Sequence, residues 1–138
     1  MVAAACAVGR LGEDGPWLGF APSLDDGYEL VVADAARAWR ARATTDELLC
    51  LAIAYFEDAL PGAPEELAAT HADIGALVRH LAAVNADPRQ APLLSQAVDA
   101  IDDGLAADVV IAALQRCLGS VTDPVQQLER RAAELAAA

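Results

Sequence analysis

Residues 23–42 read SLDDGYELVVADAARAWRAR, and the conformation of this stretch decides which class of fold the chain adopts. Its larger apolar residues recur every three or four positions, which is the spacing of one helix face. Ser23 is a good N-terminal cap, and three arginines near the end suit the negative C-terminus of a helix. The pattern therefore predicts a first helix from Leu24 to Arg42, with a strand at Tyr28–Val32 as the competing interpretation.

The composition favours helices in the rest of the chain. The 138 residues include 34 Ala and 18 Leu, both strong helix formers, whereas the aromatic residues that strands prefer are few. A length of 138 residues is enough for one domain and not for two. We therefore expect a single all-α domain with closely approaching helices.

The second predicted helix has the clearest start. Thr44 and Glu47 have the spacing of a capping box, and Pro61 with Gly62 ends the helix. Its residues 48–56 read LLCLAIAYF and offer no polar face, which is typical of a helix buried on several sides. We expect this helix at the centre of the fold.

Four further helices are predicted from proline starts and glycine stops. The third opens at Pro64 and runs to Val84, and the fourth runs from Pro92 to Asp103. The fifth runs from Ala106 to Leu118, and Asp123 caps the last one. Residues 109–114 are apolar on every face, so we expect the fifth helix to be a second central helix.

The first 22 residues are rich in glycine and proline, which interrupt regular elements. We interpret residues 1–22 as an irregular arm packed over one side of a helical domain of residues 23–138. Within that arm, Val2–Val8 could also form a short strand. The predicted fold class is all-α: a compact single-domain bundle of five to six helices with an irregular Gly/Pro-rich N-terminal arm.

Charge and cysteine spacing exclude several functions. The formal net charge of -12 repels phosphate, so a nucleic-acid binder is not expected. No stretch reaches the roughly 18 uncharged residues of a membrane span, and no signal peptide is recognised. We therefore expect a cytoplasmic protein. Three widely spaced cysteines fit neither a disulfide framework nor a zinc site, and we expect no metal and no cofactor.

His71 is the candidate polar or general-base group of a possible pocket. It lies on the apolar stripe of the third helix, where a buried structural histidine is the plainer interpretation. Glu57 and Asp58 are its candidate catalytic partners, because acids near a helix C-terminus oppose the helix dipole. The aromatic residues cluster in one third of the chain, and five of them are candidates to line a small-molecule pocket: Trp17, Phe20, Trp39, Tyr55 and Phe56.

Asp99, Asp102 and Asp103 also break the helix-dipole rule and are the candidate partner-binding residues. Solvated acids on an acidic protein are the alternative interpretation, and a site for acid–base chemistry or a divalent cation is another.

Two hypotheses for the function of the protein follow. The favoured one is an interaction or regulatory protein that acts through a helix interface, with a second copy or with a partner of basic surface. The other is a small enzyme or ligand-binding protein with an aromatic-lined pocket between the helices and the N-terminal arm.

Overall fold

The computed structural model describes residues 5–23, 25, 27–85, 87–119 and 123–137. Four strands form one antiparallel sheet in sequence order: β1 (Cys6–Arg10), β2 (Trp17–Pro22), β3 (Tyr28–Ala33) and β4 (Ala38–Arg42). Five helices follow: α1 (Thr45–Glu57), α2 (His71–Val84), α3 (Ala91–Asp102), α4 (Ala107–Leu118) and α5 (Pro124–Ala137). The all-α prediction is wrong, because the fold combines an antiparallel sheet with helices.

Residues 28–42 form two strands joined by a turn, where the sequence predicts one helix; residues 24 and 26 of the predicted helix lie outside the described residues. Leu30 and Val32 face the helices, whereas Val31 and Ala33 lie on the other face, which is the two-residue period of a strand. The Asp34 carboxylate accepts hydrogen bonds from the backbone N–H groups of residues 36 and 37, each 2.8 Å long. These bonds stabilise the turn between β3 and β4. The competing interpretation, a strand at Tyr28–Val32, is correct. The helical spacing of the apolar residues is coincidental, and the β-branched Val31 and Val32 favour a pleated sheet.

The predicted irregular N-terminal arm is also wrong, because residues 6–10 and 17–22 form β1 and β2; residues 1–4 of that arm lie outside the described residues. Two of its glycines serve close packing of the backbone. A Cβ atom on Gly19 would lie 1.9 Å from the carbonyl oxygen of Cys6, and one on Gly9 would lie 1.4 Å from that of Leu60. These glycines let neighbouring chain segments approach the sheet.

The outer edge of β1 is covered by residues 61–69. The N–H of Ala7 donates to the carbonyl of Leu67 at 2.7 Å, and the N–H of Ala69 donates to the carbonyl of Ala7 at 2.8 Å. Further along, the N–H of Arg10 donates to the carbonyl of Pro61 at 3.2 Å. The prediction that the third helix begins at Pro64 is therefore wrong, because residues 64–70 pair with the sheet. The helix starts at His71 after its own capping box, formed by Thr70 and Asp73.

The helix α1 is at the centre of the fold, as predicted. Its residues 48–54 are at most 3% exposed, and the helix contacts α2, α4, α5 and β1. The predicted capping box is confirmed: the Thr44 N–H donates to Glu47 Oε1 at 2.8 Å, and the Glu47 N–H donates to Thr44 Oγ1 at 3.1 Å. One apolar cluster joins the inner face of the sheet to all five helices.

The predictions for the last three helices are accurate to about one residue at their starts. The prediction that α4 is a second central helix is wrong. Only four of its residues are buried, namely Val110, Leu114, Cys117 and Leu118. Val109 is 46% exposed, so α4 has a solvent-facing apolar residue on its outer side. None of the helices in the described ranges is long and apolar enough to cross a membrane.

Candidate interaction site

An apolar groove lies between α3 and α4. Its volume is about 540 Å³, and alanines 100, 112 and 113 contribute to its wall. Leu105 and Val109 line it as well, and each is 46% exposed. Exposed large apolar side chains are uncommon among the described residues, where the two others are Leu67, at 38%, and Val84, at 61%.

The turn between α3 and α4 holds Leu105 at the groove. Gly104 adopts a φ of 66°, a left-handed conformation that glycine reaches without strain. The N–H of Gly104 then donates to the carbonyl of Ile101, and the N–H of Leu105 donates to that of Ala100, each at 3.1 Å. These bonds satisfy the last carbonyls of α3 and fix the direction of the chain where it leaves the helix.

Three carboxylates line the groove: Asp99 and Asp103 from α3, and Asp108 from the first turn of α4. None of the three forms an ion pair with a residue of the described ranges. Asp102 differs from them, because its carboxylate pairs with the Arg79 guanidinium of α2. Of the three predicted partner-binding residues, the structure therefore brings Asp99 and Asp103 to this groove and places Asp102 at a contact between helices.

Sequence reasoning missed Leu105, Val109 and Asp108 as groove residues. The all-apolar stretch that contains Val109 suggested burial on every side. The spacing of Val110, Leu114 and Cys117 is the usable signal, because it defines a single buried stripe and leaves Val109 about 100° away from it around the helix.

The structure brings His71 to two of the five predicted aromatic residues. Its ring centroid lies 5.1 Å from that of Phe56 and 6.4 Å from that of Tyr55. His71 is the first residue of α2 and is exposed. Glu57 and Asp58 end the helix that carries the two aromatic residues. The nearest polar contact of Glu57 is the Gln115 amide at 3.5 Å, and Asp58 caps α1 in a left-handed conformation.

The other three aromatic residues lie elsewhere. Phe20 is buried and packs edge-on against Tyr28, whose ring in turn contacts His80 at 5.1 Å. Trp17 lies on the opposite face of the sheet, and Trp39 lines a cavity of about 320 Å³ next to α5. The five aromatic residues therefore do not share one cavity.

A second large cavity, of about 620 Å³, lies between the β1–β2 loop, residues 59–62 and the first turns of α5. The Arg10 side chain lines this cavity and links two of the segments around it. Its Nε atom donates to the carbonyl of Gly62 at 3.0 Å, and its Nη1 atom donates to the carbonyl of Gly15 at 3.3 Å. Glu13 and Glu129 also line this cavity. His71 and the predicted aromatic residues do not line it.

Asp73 lies near three titratable groups from three other elements. Burial raises the pKa of the Cys6 thiol, and the negative charge of Asp73 raises it further. Burial and the same carboxylate raise the pKa of Tyr55, and burial, Cys6 and Asp73 raise that of Tyr28. A raised pKa keeps a thiol protonated and so weakly nucleophilic, so this cluster does not have the environment of a reactive cysteine.

Among the described residues, no three His, Cys, Asp or Glu side chains are grouped so that they could hold a metal ion. The remaining thiols are buried, and burial raises the pKa of Cys50 to about 12 and that of Cys117 to about 11.

Comparisons with protein-family models, with curated proteins and with solved structures find no match to this chain. The groove between α3 and α4 therefore has to be interpreted from its own chemistry.

Proposed function

We propose that this protein is an interaction module whose α3–α4 groove binds a basic amphipathic helix of a partner protein. The observation that carries the proposal is the combination of Leu105 and Val109, both exposed, with the carboxylates that line the same groove. A groove that receives an amphipathic helix offers apolar contacts to the apolar face of that helix and polar or charged residues at the rim.

The apolar part of the groove would supply affinity. Burying the exposed areas of Leu105 and Val109 under a partner removes apolar surface from water, which stabilises a complex by roughly 25 cal/mol per Å². The alanines beside them carry short side chains, so a partner helix can approach closely. A partner with leucine-like residues three and four positions apart would fit this surface.

The charged part of the groove would select the partner. Asp99, Asp103 and Asp108 favour lysine or arginine beside the apolar residues of the incoming helix, and the net charge of -12 steers a basic partner from a distance. Arg116 lies near the C-terminal end of α4 and also lines the groove, so it would favour one orientation of the partner. A second copy of the chain is a poorer occupant, because each copy would bring its own -12.

The proposal is tested first with a synthetic probe. A fluorescein-labelled peptide of roughly 15 residues, with leucines at helical spacing and lysines between them, is titrated with the protein and followed by fluorescence anisotropy. Val109→Glu should weaken binding about tenfold or more, because it places a charge on the apolar surface. Val84→Glu is the matched control: Val84 is also exposed, at 61%, but lies on α2 outside the groove, and its substitution should leave binding unchanged.

The role of charge is tested separately. The triple variant Asp99→Asn, Asp103→Asn, Asp108→Asn should weaken binding and flatten its salt dependence. The control variant neutralises three exposed glutamates outside the groove: Glu57→Gln, Glu65→Gln and Glu66→Gln. Equal effects of the two triple variants would show that only net charge matters, and would overturn the proposal.

A photo-crosslinking residue at position 109 then captures partners in the source cells. A captured protein supports the proposal only if a synthetic peptide of its basic amphipathic helix binds the protein and loses affinity with Val109→Glu. Sedimentation provides the opposing outcome. A concentration-dependent dimer that Val109→Glu dissociates would assign the groove to a second copy instead of a basic partner.

A further inference from the structure

The free edge of the sheet at β4 exposes backbone groups of three alternate residues. The N–H of Ala43 donates to the carbonyl of Tyr28 at 3.1 Å, and the N–H of Asp34 donates to that of Arg37 at 2.9 Å. In an antiparallel ladder, hydrogen-bonded pairs alternate with non-bonded pairs. Residues 37, 39, 41 and 43 therefore bond towards β3, and the N–H and C=O groups of residues 38, 40 and 42 point away from the sheet.

The two edges of the sheet differ in how they are covered. Residues 61–69 cover the β1 edge through the three backbone bonds given above. Within the described ranges, no backbone or side-chain group bonds to the outward N–H and C=O groups of Ala38, Arg40 and Arg42. An edge strand of this kind is a template to which another extended chain can add.

The side chains on this edge disfavour a second copy of β4. If two copies paired in antiparallel fashion about a central two-fold axis, Arg40 would lie opposite the same arginine of its partner, and like charges directly opposite each other destabilise a strand pair. Arg40 and Arg42 lie on β4 and Arg37 lies just before it, on a chain that has nine arginines and a net charge of -12. An added strand should therefore carry acidic residues.

The two edge arginines already have carboxylate neighbours from their own chain. Arg42 pairs with Asp25, and Arg40 lies 3.9 Å from a carboxylate oxygen of Glu29. Both neighbours come from the β3 side of the edge. A guanidinium has five N–H donors, and the side chains of Arg42 and Arg40 are 70% and 33% exposed, so each can also donate to a carboxylate of an added strand.

We propose that the β4 edge binds an extended acidic segment of a partner protein as a fifth strand of the sheet. Its backbone would pair with Ala38, Arg40 and Arg42, and its acidic side chains, two positions apart, would lie opposite Arg40 and Arg42. The α3–α4 groove shares no residue with this edge, so the two surfaces can be tested independently.

The pairing is tested by NMR with a synthetic peptide that alternates glutamate with valine. At saturating peptide, hydrogen exchange of the amides of Ala38, Arg40 and Arg42 should slow by roughly tenfold or more, because these amides become hydrogen-bonded. The amides of Trp39 and Ala41 already bond to β3 and should change little. A peptide that alternates glutamine with valine is the control for charge and should bind roughly fivefold more weakly.

Variants test the same pairing from the protein side. Arg40→Gln with Arg42→Gln should weaken binding of the acidic peptide roughly fivefold, whereas Arg89→Gln with Arg130→Gln, two exposed arginines in the turn before α3 and on α5, should not. Ala38→Pro removes an outward N–H without removing a bond to β3, and it should weaken both peptides.

Three outcomes would overturn the proposal. Peptide binding that leaves the exchange of residues 38, 40 and 42 unchanged would show attraction of charge alone. Equal loss of affinity in the two arginine variants would show the same. Amides of the three residues that are already protected in the free protein, together with a dimer in sedimentation, would assign the edge to a second copy. Because the exchange experiment uses the unaltered protein, it decides the question even if a variant fails to fold.

Discussion

At the scale of single residues, Glu47 is the buried charged residue of the described core, at 6% exposure. Its Oε1 atom accepts the N–H of Thr44 at 2.8 Å, and its Oε2 atom lies 2.9 Å from Nε of Arg131. One carboxylate therefore completes the capping box of α1 and also binds α5. A local signal in the sequence acquires a second, long-range partner only in the folded molecule.

We predict that Glu47→Ala lowers the free energy of unfolding by about 2 kcal/mol, because it leaves the Thr44 N–H without its acceptor and removes the contact between Glu47 and Nε of Arg131. Glu47→Gln should cost less, since an amide oxygen can still accept from Thr44. Urea unfolding of both variants and of Arg131→Ala, combined in a double-mutant cycle, measures the coupling. A coupling energy near zero would contradict the bridging role of Glu47, and Glu66→Ala, an exposed acid outside any helix, is the control.

A second prediction concerns the thiol of Cys50. Burial, reinforced by the negative charges of Asp46, Glu47 and Asp123, raises its pKa from 9.0 to about 12. The folded protein therefore keeps this thiol protonated at a pH at which the unfolded chain ionises it. The free energy of unfolding should be insensitive to this group below pH 9 and should fall as the pH rises from about 9 towards 12.

The measurement is the slope of stability against pH, from urea unfolding on the alkaline side. Cys50→Ala should reduce that slope, whatever it does to stability at neutral pH, because the titrating group is gone. Cys6→Ala is the comparison, since Cys6 is only half-buried. Identical alkaline slopes for the unaltered protein and for Cys50→Ala would show that the thiol ionises in the folded state as it does in the unfolded one.

At the scale of elements, the sheet depends on glycines where segments cross. Residues 60–62 pass so close to β1 that Gly9 has no space for a side chain. We predict that Gly9→Ala destabilises the protein by about 3 kcal/mol or more, because the new Cβ would collide with the backbone of Leu60, which has no room to yield. Thermal unfolding measures the effect.

Gly12→Ala is the matched control on the same hairpin. Gly12 has a φ of 82° but no atom within 4 Å of a new Cβ, so the substitution should cost only the strain of the left-handed conformation, roughly 1 kcal/mol. Equal losses for the two variants would mean that residues 60–62 move away from β1 at little cost, and would argue against a tightly closed β1 edge.

At the scale of the whole molecule, the dominant feature is the net charge of -12. Few of the acids have a basic partner in the described ranges, where ion pairs involve five of them, namely Asp25, Glu29, Glu47, Asp102 and Glu134. Repulsion between the remaining acids should oppose the compact state.

We therefore predict that added sodium chloride raises the midpoint of thermal unfolding, since salt at 0.1 M largely screens repulsion between exposed charges that are more than about 10 Å apart. An uncharged osmolyte at matched osmolality is the control for effects unrelated to charge. A midpoint that falls with salt would mean that ion pairs, rather than repulsion, dominate the electrostatics of the fold.

The sequence by itself determined the elements whose signals are local. Four features depend only on residues adjacent in the chain and can be recognised without tertiary information. They are the capping box at Thr44, the buried run of α1, the ends of α3 and the proline start of α5. The sign of the net charge also follows from the chain alone. So does the choice of Asp99 and Asp103 as candidate partner-binding residues. The local signals that misled were the apolar spacing in residues 23–42, the glycines and prolines of the first 22 residues, the proline at position 64 and the apolar run of residues 109–114.

Tertiary structure alone decided the rest, because strand pairing and burial depend on residues far apart in the chain. Tyr28–Ala33 is a strand since β2 and β4 offer it hydrogen bonds on both sides, and no helix can use those partners. The exposure of Val109 depends on which face of α4 its neighbours cover. The β4 edge is free because no segment of the described ranges pairs with it, whereas residues 61–69 cover the opposite edge, at β1. These long-range contacts, invisible in the order of the residues, created both surfaces through which we propose that the protein acts.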